Sequence, residues 1–131
     1  ERRDRRTPRA RLAIARDAAF CFYYEENLDA LVRAGFELAE FSPIAGEALP
    51  ASCDAVYFGG GYPESFATEL AANRRLASQL RDAAERGMPI YAECGGLIWL
   101  RCPGPTRLIE GWMLMGGGRC VGIGSMPARG R

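Results

Sequence analysis

The chain has no histidine and no lysine; all 17 of its basic residues are arginine. Without histidine, the usual imidazole base for a cysteine or serine nucleophile is missing, and no zinc site that needs an imidazole can form. Without lysine, a P-loop and a Schiff-base mechanism are both excluded within these 131 residues. The five cysteines (Cys21, Cys53, Cys94, Cys102 and Cys120) are odd in number and form no C-x-x-C pair. They read as free thiols in a reducing cytoplasm, with no metal site expected. No apolar run approaches the ~20 residues that span a bilayer, so no membrane partner is expected. A formal charge of +1, with no long single-sign field, gives no basis for a nucleic-acid partner.

What is present is an ordinary globular composition, 48% hydrophobic, in a chain long enough to bury one core. The run RLAIA at 11–15 reads as a buried strand, and DAAFCFYY at 17–24 as a loop or strand extension. A helix is expected from Glu25 or Asn27 to Ala34, with Leu28, Leu31 and Val32 on one face and Gly35 ending it. FELAEFSP alternates apolar and polar residues and reads as a second strand closed by Pro43. AVYFGGG at 55–61 reads as a third strand entering a glycine loop, and two helical pieces follow. Leu76, Leu80, Ala83 and Ala84 form a 3.6-residue stripe in the second piece, which Gly87 stops. MPIYA is a fourth strand, and GGLIWL opens a helix directly after Cys94.

Strands alternating with helices at this spacing imply βαβ units, a mostly parallel sheet and helices on both of its faces. The loops after the third and fourth strands then share the carboxyl edge, where open α/β sheets bind ligands.

At that edge, Ala92-Glu93-Cys94-Gly95-Gly96 has the small-x-Cys-x-small layout of a nucleophile elbow. Only small residues fit beside so sharp a strand-to-helix turn, and the backbone N–H of Gly95 would point toward a bound carbonyl oxygen. The competing reading is a buried cysteine in a tight turn. Gly59-Gly60-Gly61-Tyr62-Pro63-Glu64 follows the neighbouring strand and can bring backbone N–H groups to a ligand as the other half of an oxyanion hole. The bland alternative is a turn leading into the next helix. Tyr62 and Glu64 are candidate substrate contacts, Glu64 being equally a helix N-terminal carboxylate. Arg16 and Asp17 are candidates too, or else a loop ion pair. Phe22, Tyr23 and Tyr24 fit a domain interface, a substrate site or the core. The other four cysteines read as structural, and Arg74-Arg75 as a solvated helix face.

The segments RLAIARDAAFCFYYEENLDAL, EFSPIAGEALP, AVYFGGGYPESFATELAAN and GMPIYAECGGLIWL occur in this order. Together they resemble the glutamine amidotransferase domain of cobyrinic acid a,c-diamide synthases, in the cobyrinate/cobyric acid branch of class I, triad-type glutaminases. The resemblance covers residues 11–100 and rests most on RDxAFxFYY, GGGYPE and AECGG. It implies a flavodoxin-like α/β domain, incomplete at its C-terminus. It implies Cys94 as the nucleophile toward L-glutamine, and Gly60, Gly61 and Gly95 as sources of oxyanion-stabilising N–H groups. The ammonia would pass to a synthetase domain that uses ATP and magnesium. There the a and c acetate carboxylates of a corrin, cobyrinate or hydrogenobyrinate, would be amidated in cobalamin biosynthesis. No cofactor is implied for the segment in hand.

The departures from the family set further expectations. Residues 1–10 read as a linker remnant of an absent synthetase domain, and 11–100 as the glutaminase core. Residues 101–131 are divergent and rich in Gly, Pro and Arg, with a strand at 111–115, and read as truncated or frameshifted. The general-base histidine is absent, so the isolated chain is expected to be inactive. Rival readings are the glutaminase domain of cobyric acid synthase or of a cell-wall amidating enzyme, a cysteine peptidase or chaperone with a similar elbow, and a non-catalytic glutamine- or partner-binding fragment.

Overall fold

A computed structural model describes residues 7–100 and two further strands at 113–115 and 119–122. The strands are β1 (Ala10–Ala15), β2 (Phe20–Phe22), β3 (Phe36–Phe41), β4 (Ala55–Phe58), β5 (Gly60–Gly61), β6 (Ile90–Glu93), β7 (Met113–Met115) and β8 (Arg119–Gly122). The helices are α1 (Glu25–Arg33), α2 (Ala67–Ala72), α3 (Arg74–Glu85) and α4 (Gly95–Leu100), with a 3-10 turn at Pro63–Phe66 leading into α2.

β1 is apolar throughout its second half because it is buried on both sides. Leu12 and Ile14 face one layer, Ala13 and Ala15 the other. β3 pairs with it on one side and β4 on the other, both in parallel. β6 runs parallel to β4. β8 and then β7 add antiparallel strands, giving the order β3-β1-β4-β6-β8-β7. The alternating pattern of residues 36–41 belongs to the outermost strand β3, where Glu37 and Glu40 reach solvent. The strand expected at 111–115 is realised as β7, while Gly111 and Trp112 lie outside the described residues, as does Cys102. β8 has no counterpart in the sequence reading.

Helices cover both faces. Leu28 of α1 packs with Leu12 and Ile14. Leu70, Leu76, Leu80, Leu97 and Leu100 of α2, α3 and α4 pack with Ala13, Ala15, Val56, Phe58, Ile90 and Ala92. The predicted stripe of α3 is the buried one: Leu76, Leu80 and Ala83 are fully enclosed. Gly35 and Gly87 end α1 and α3 in left-handed conformations, φ +108° and +85°. Asn73, a buried polar residue, caps α3 by accepting the Leu76 N–H at 3.2 Å, and it donates to the carbonyls of Pro43 and Glu47 at 2.9 Å each. No helix among the described residues is long and apolar enough to cross a membrane.

The parallel strands follow the doubly wound order in which the chain moves outward from β1 to β3, then back across to β4 and β6. The switch point lies between β1 and β4, whose carboxyl ends open a crevice. The third strand, expected to enter a glycine loop, ends its ladder at Phe58. Gly60–Gly61 instead pairs antiparallel with Phe20–Phe22, with Phe20 opposite Gly61 and Phe22 opposite Gly60. Glycines bring no side chain to pack on the main sheet, so the chain leaves it and meets the loop from β1 above the switch point.

Candidate active site

Cys94 sits between β6 and α4 with φ +43°. A residue with a side chain in this left-handed region is strained by about 1–3 kcal/mol and persists only where its surroundings hold it. The surroundings here are unusually close. A Cβ on Gly96 would lie 2.7 Å from the Phe58 carbonyl oxygen, 2.8 Å from that of Gly59 and 2.8 Å from the Phe58 Cβ. Ala92, on the other flank, is fully buried. The small-x-Cys-x-small pattern therefore has a steric cause: α4 is pressed against the end of β4. The Cys94 side chain is exposed at the carboxyl edge.

The triple glycine meets this turn. A Cβ on Gly60 would stand 3.6 Å from the Cys94 Cβ. One on Gly95 would stand 2.9 Å from the Pro63 Cδ, 3.1 Å from the Gly61 oxygen and 3.2 Å from the Gly61 nitrogen. Gly60, Gly61, Gly95 and Cys94, expected together from the sequence, are thus one cluster. The loop has little freedom to move. Gly61 lies so close to the Ala19 carbonyl that an added Cβ would be 2.1 Å from its oxygen, and Tyr62 donates its N–H to the same oxygen at 2.9 Å. Beneath the loop, Phe20, Phe58 and Trp99 form an aromatic floor with ring centroids 5.2–5.5 Å apart.

The other candidates are placed differently. Tyr62 is half exposed and meets Phe22 edge-on at 5.2 Å, so the two rings form a ledge beside Gly60. Glu64 is exposed in the first turn after the loop. Arg16 and Asp17 do follow β1 at the same edge, but their polar groups are engaged on the β3 side. The Arg16 guanidinium pairs with Glu25 at 2.8 Å and Glu40 at 2.9 Å. Those hydrogen bonds, Glu25 first, hold its pKa above the ordinary arginine value. Asp17 accepts the N–H groups of Ala19 (2.9 Å) and Phe20 (3.1 Å) through Oδ1. Through Oδ2 it accepts the Ser42 hydroxyl and the Ile44 N–H, both at 3.0 Å. This shapes the turn that delivers β2 to the glycine loop. Glu93 turns to the opposite side of β6 from Ala92 and accepts the Tyr91 hydroxyl at 2.7 Å. Cys21 is exposed; Cys53 is half-buried, and burial pushes its thiol pKa up.

One residue of the site went unassigned in the sequence. Tyr23 donates its hydroxyl to the Ala15 carbonyl and accepts the Gly59 N–H at 2.8 Å. Its hydroxyl is matched by that of Tyr24 beside it, so the sequence left Tyr23 among a domain interface, a substrate site and the core.

Residues 11–102 match the model of the CobB/CobQ-like glutamine amidotransferase domain. The chain is 53% identical to the cobyrinate a,c-diamide synthase of Synechocystis over 95 residues, covering 72% of this chain and 20% of the relative. It is 55% identical over 93 residues to the enzyme of that name from Dehalococcoides mccartyi, and 50% identical over 93 residues to that from Priestia megaterium. Each of these matches covers 71% of this chain and 20% of the relative. The chain therefore spans about a fifth of the length of the curated relatives it matches. With most of its length matched to the family model, and an elbow and glycine loop meeting at the carboxyl edge of a flavodoxin-like sheet, the chain belongs to the CobB/CobQ-like glutamine amidotransferase family.

Proposed function

We propose that this chain is the glutaminase portion of an ATP-dependent amide ligase of cobalamin biosynthesis, a cobyrinate or hydrogenobyrinate a,c-diamide synthase. The observation that supports it most is the meeting of Cys94, in its left-handed turn, with Gly60, Gly61 and Gly95. The Cys94 sulfur attacks the side-chain amide carbon of L-glutamine. The carbonyl oxygen becomes an oxyanion held by backbone N–H groups of the cluster. The C–N bond then breaks and ammonia leaves with the proton that the Cys94 thiol gave up, giving a γ-glutamyl thioester that water hydrolyses to glutamate. The ammonia serves a synthetase segment, where ATP and magnesium activate the a and c carboxylates of the corrin. The reading places the protein in the cytoplasm.

Proton transfer to the leaving amine needs an acid–base group near the sulfur, and the chain has no histidine. The 131-residue chain alone is therefore expected to release no ammonia from glutamine. Turnover that disappears in Cys94→Ser would overturn the inactivity. In a polypeptide extended to the length of its relatives, Cys94→Ala should abolish glutamine-supported amidation and spare synthesis from free ammonium. Loss of both activities, or of neither, would refute the assignment of Cys94.

A further inference from the structure

We infer that Tyr23 is a positioning residue for the nucleophile site: its hydroxyl sets where the backbone of residues 59–61 lies against Cys94. The inference rests on the glutaminase reading of Cys94.

The parallel ladder between β1 and β4 ends at the pair Ala15–Phe58. One step further, the strands part to admit the loops that build the site. Across that gap the Tyr23 oxygen uses both of its hydrogen-bonding roles, donating to the last carbonyl of β1 and accepting the first N–H beyond β4. It acts as one additional rung, made by a side chain. The ring is fixed as well. Tyr57 meets it edge-on at 5.3 Å, and Gly59 lies so close that an added Cβ would be 2.7 Å from Cε1 and Cζ. Burial raises the phenol pKa well above its ordinary value, so the proton given to Ala15 stays in place through the neutral range. From Gly59 the effect passes along one peptide to Gly60, the neighbour of the Cys94 Cβ, and then to Gly61, the neighbour of Gly95. A phenylalanine at 23 would keep the ring and lose the rung.

The test uses the full 131-residue chain and two reagents, with labelling of Cys94 followed by peptide mass spectrometry. Iodoacetamide is attacked at its methylene carbon and iodide leaves, so no oxyanion forms. A chloromethyl ketone analogue of glutamine first takes the sulfur at its carbonyl carbon, placing negative charge on oxygen. The S–CH2 bond then forms as chloride leaves, the bond between sulfur and the carbonyl carbon breaks, and the carbonyl is restored. Tyr23→Phe should slow the ketone about tenfold, less than the roughly 100- to 1000-fold cost of removing an oxyanion donor outright because the donors are displaced and not lost, and leave the iodoacetamide rate at Cys94 within about twofold of wild type. Equal slowing with both reagents, or with neither, refutes the positioning role alone. Absence of glutamine-competable ketone labelling in the wild type refutes the glutaminase reading on which it rests. Amide exchange checks the rung without relying on the variant's folding: the Gly59 N–H of the wild type should be protected alongside that of Val56, which donates to the Pro89 carbonyl. A freely exchanging Gly59 amide in the wild type overturns the inference.

Discussion

Replacing Gly96 with alanine tests the steric basis of the elbow. The added methyl would meet two backbone carbonyl oxygens and the Phe58 Cβ at 2.7–2.8 Å. None of these atoms can rotate aside: two belong to Phe58 at the end of β4, which is paired on both sides, and the third to Gly59, whose N–H is held by the Tyr23 hydroxyl. The turn must then open by several tenths of an ångström against a closely packed layer. Overpacking of this kind costs about 1–3 kcal/mol, and rigid backbone neighbours argue for the upper end. Alanine returns about 1 kcal/mol through its better helix propensity within α4. The net expectation is a loss of about 2 kcal/mol, or a melting temperature lower by about 7–10 °C for a domain of this size. Gly87→Ala is the control. Its Cβ meets nothing within 4 Å, and its φ of +85° should produce a loss of only about 1 kcal/mol. Thermal unfolding followed by circular dichroism measures both. A Gly96→Ala chain as stable as wild type, or more stable than Gly87→Ala, would show that the elbow has room and that its small residues answer to something other than β4.

Two further outcomes follow from residues near the site. Asp17→Ala leaves the Ala19 and Ile44 N–H groups and the Ser42 hydroxyl without their carboxylate acceptor, while the Phe20 N–H keeps the carbonyl of residue 17, and should cost about 2–3 kcal/mol. Arg16→Ala removes exposed ion pairs and should cost less than about 1 kcal/mol. Urea midpoints of the two variants should therefore be well separated, and the reverse order would refute the roles assigned to them. Tyr23 gives a pH dependence. Its folded pKa is raised above the unfolded value, so its contribution is fully present below about pH 10 and is lost as pH rises beyond that. Stability measured between about pH 10 and 12 should fall less steeply in Tyr23→Phe than in wild type; equal slopes would refute the burial of the phenol.

Much of the site can be read in the sequence because its chemistry is local. The elbow is five consecutive residues, and steric demands within one turn leave their mark as Ala92 and Gly96 on either side of Cys94. The glycine loop is equally local, a run of three at the end of a strand. The strands themselves are distinguished by burial: β1 is apolar without interruption from Leu12 to Ala15 because both its faces are covered there, and β3 alternates because it lies at the edge. Arg16 and Asp17 show the opposite case. Their position after β1 put them at the binding edge, but only the fold brings Glu25, Glu40, Ser42 and Ile44 close enough to engage them.

By itself, then, the sequence determined the βα alternation, the two glycine helix ends, the elbow at Cys94 and its partner loop, since each depends on a period or a turn within about a dozen residues. The tertiary structure decided the rest. It ended the third strand at Phe58, paired β5 with β2, turned α4 against β4, and placed the Tyr23 hydroxyl on Gly59, 36 residues away. A hydrogen bond across that distance needs only one polar atom at each end. It leaves no periodic trace in the chain, and it becomes visible only when the carboxyl ends of two adjacent strands are brought together.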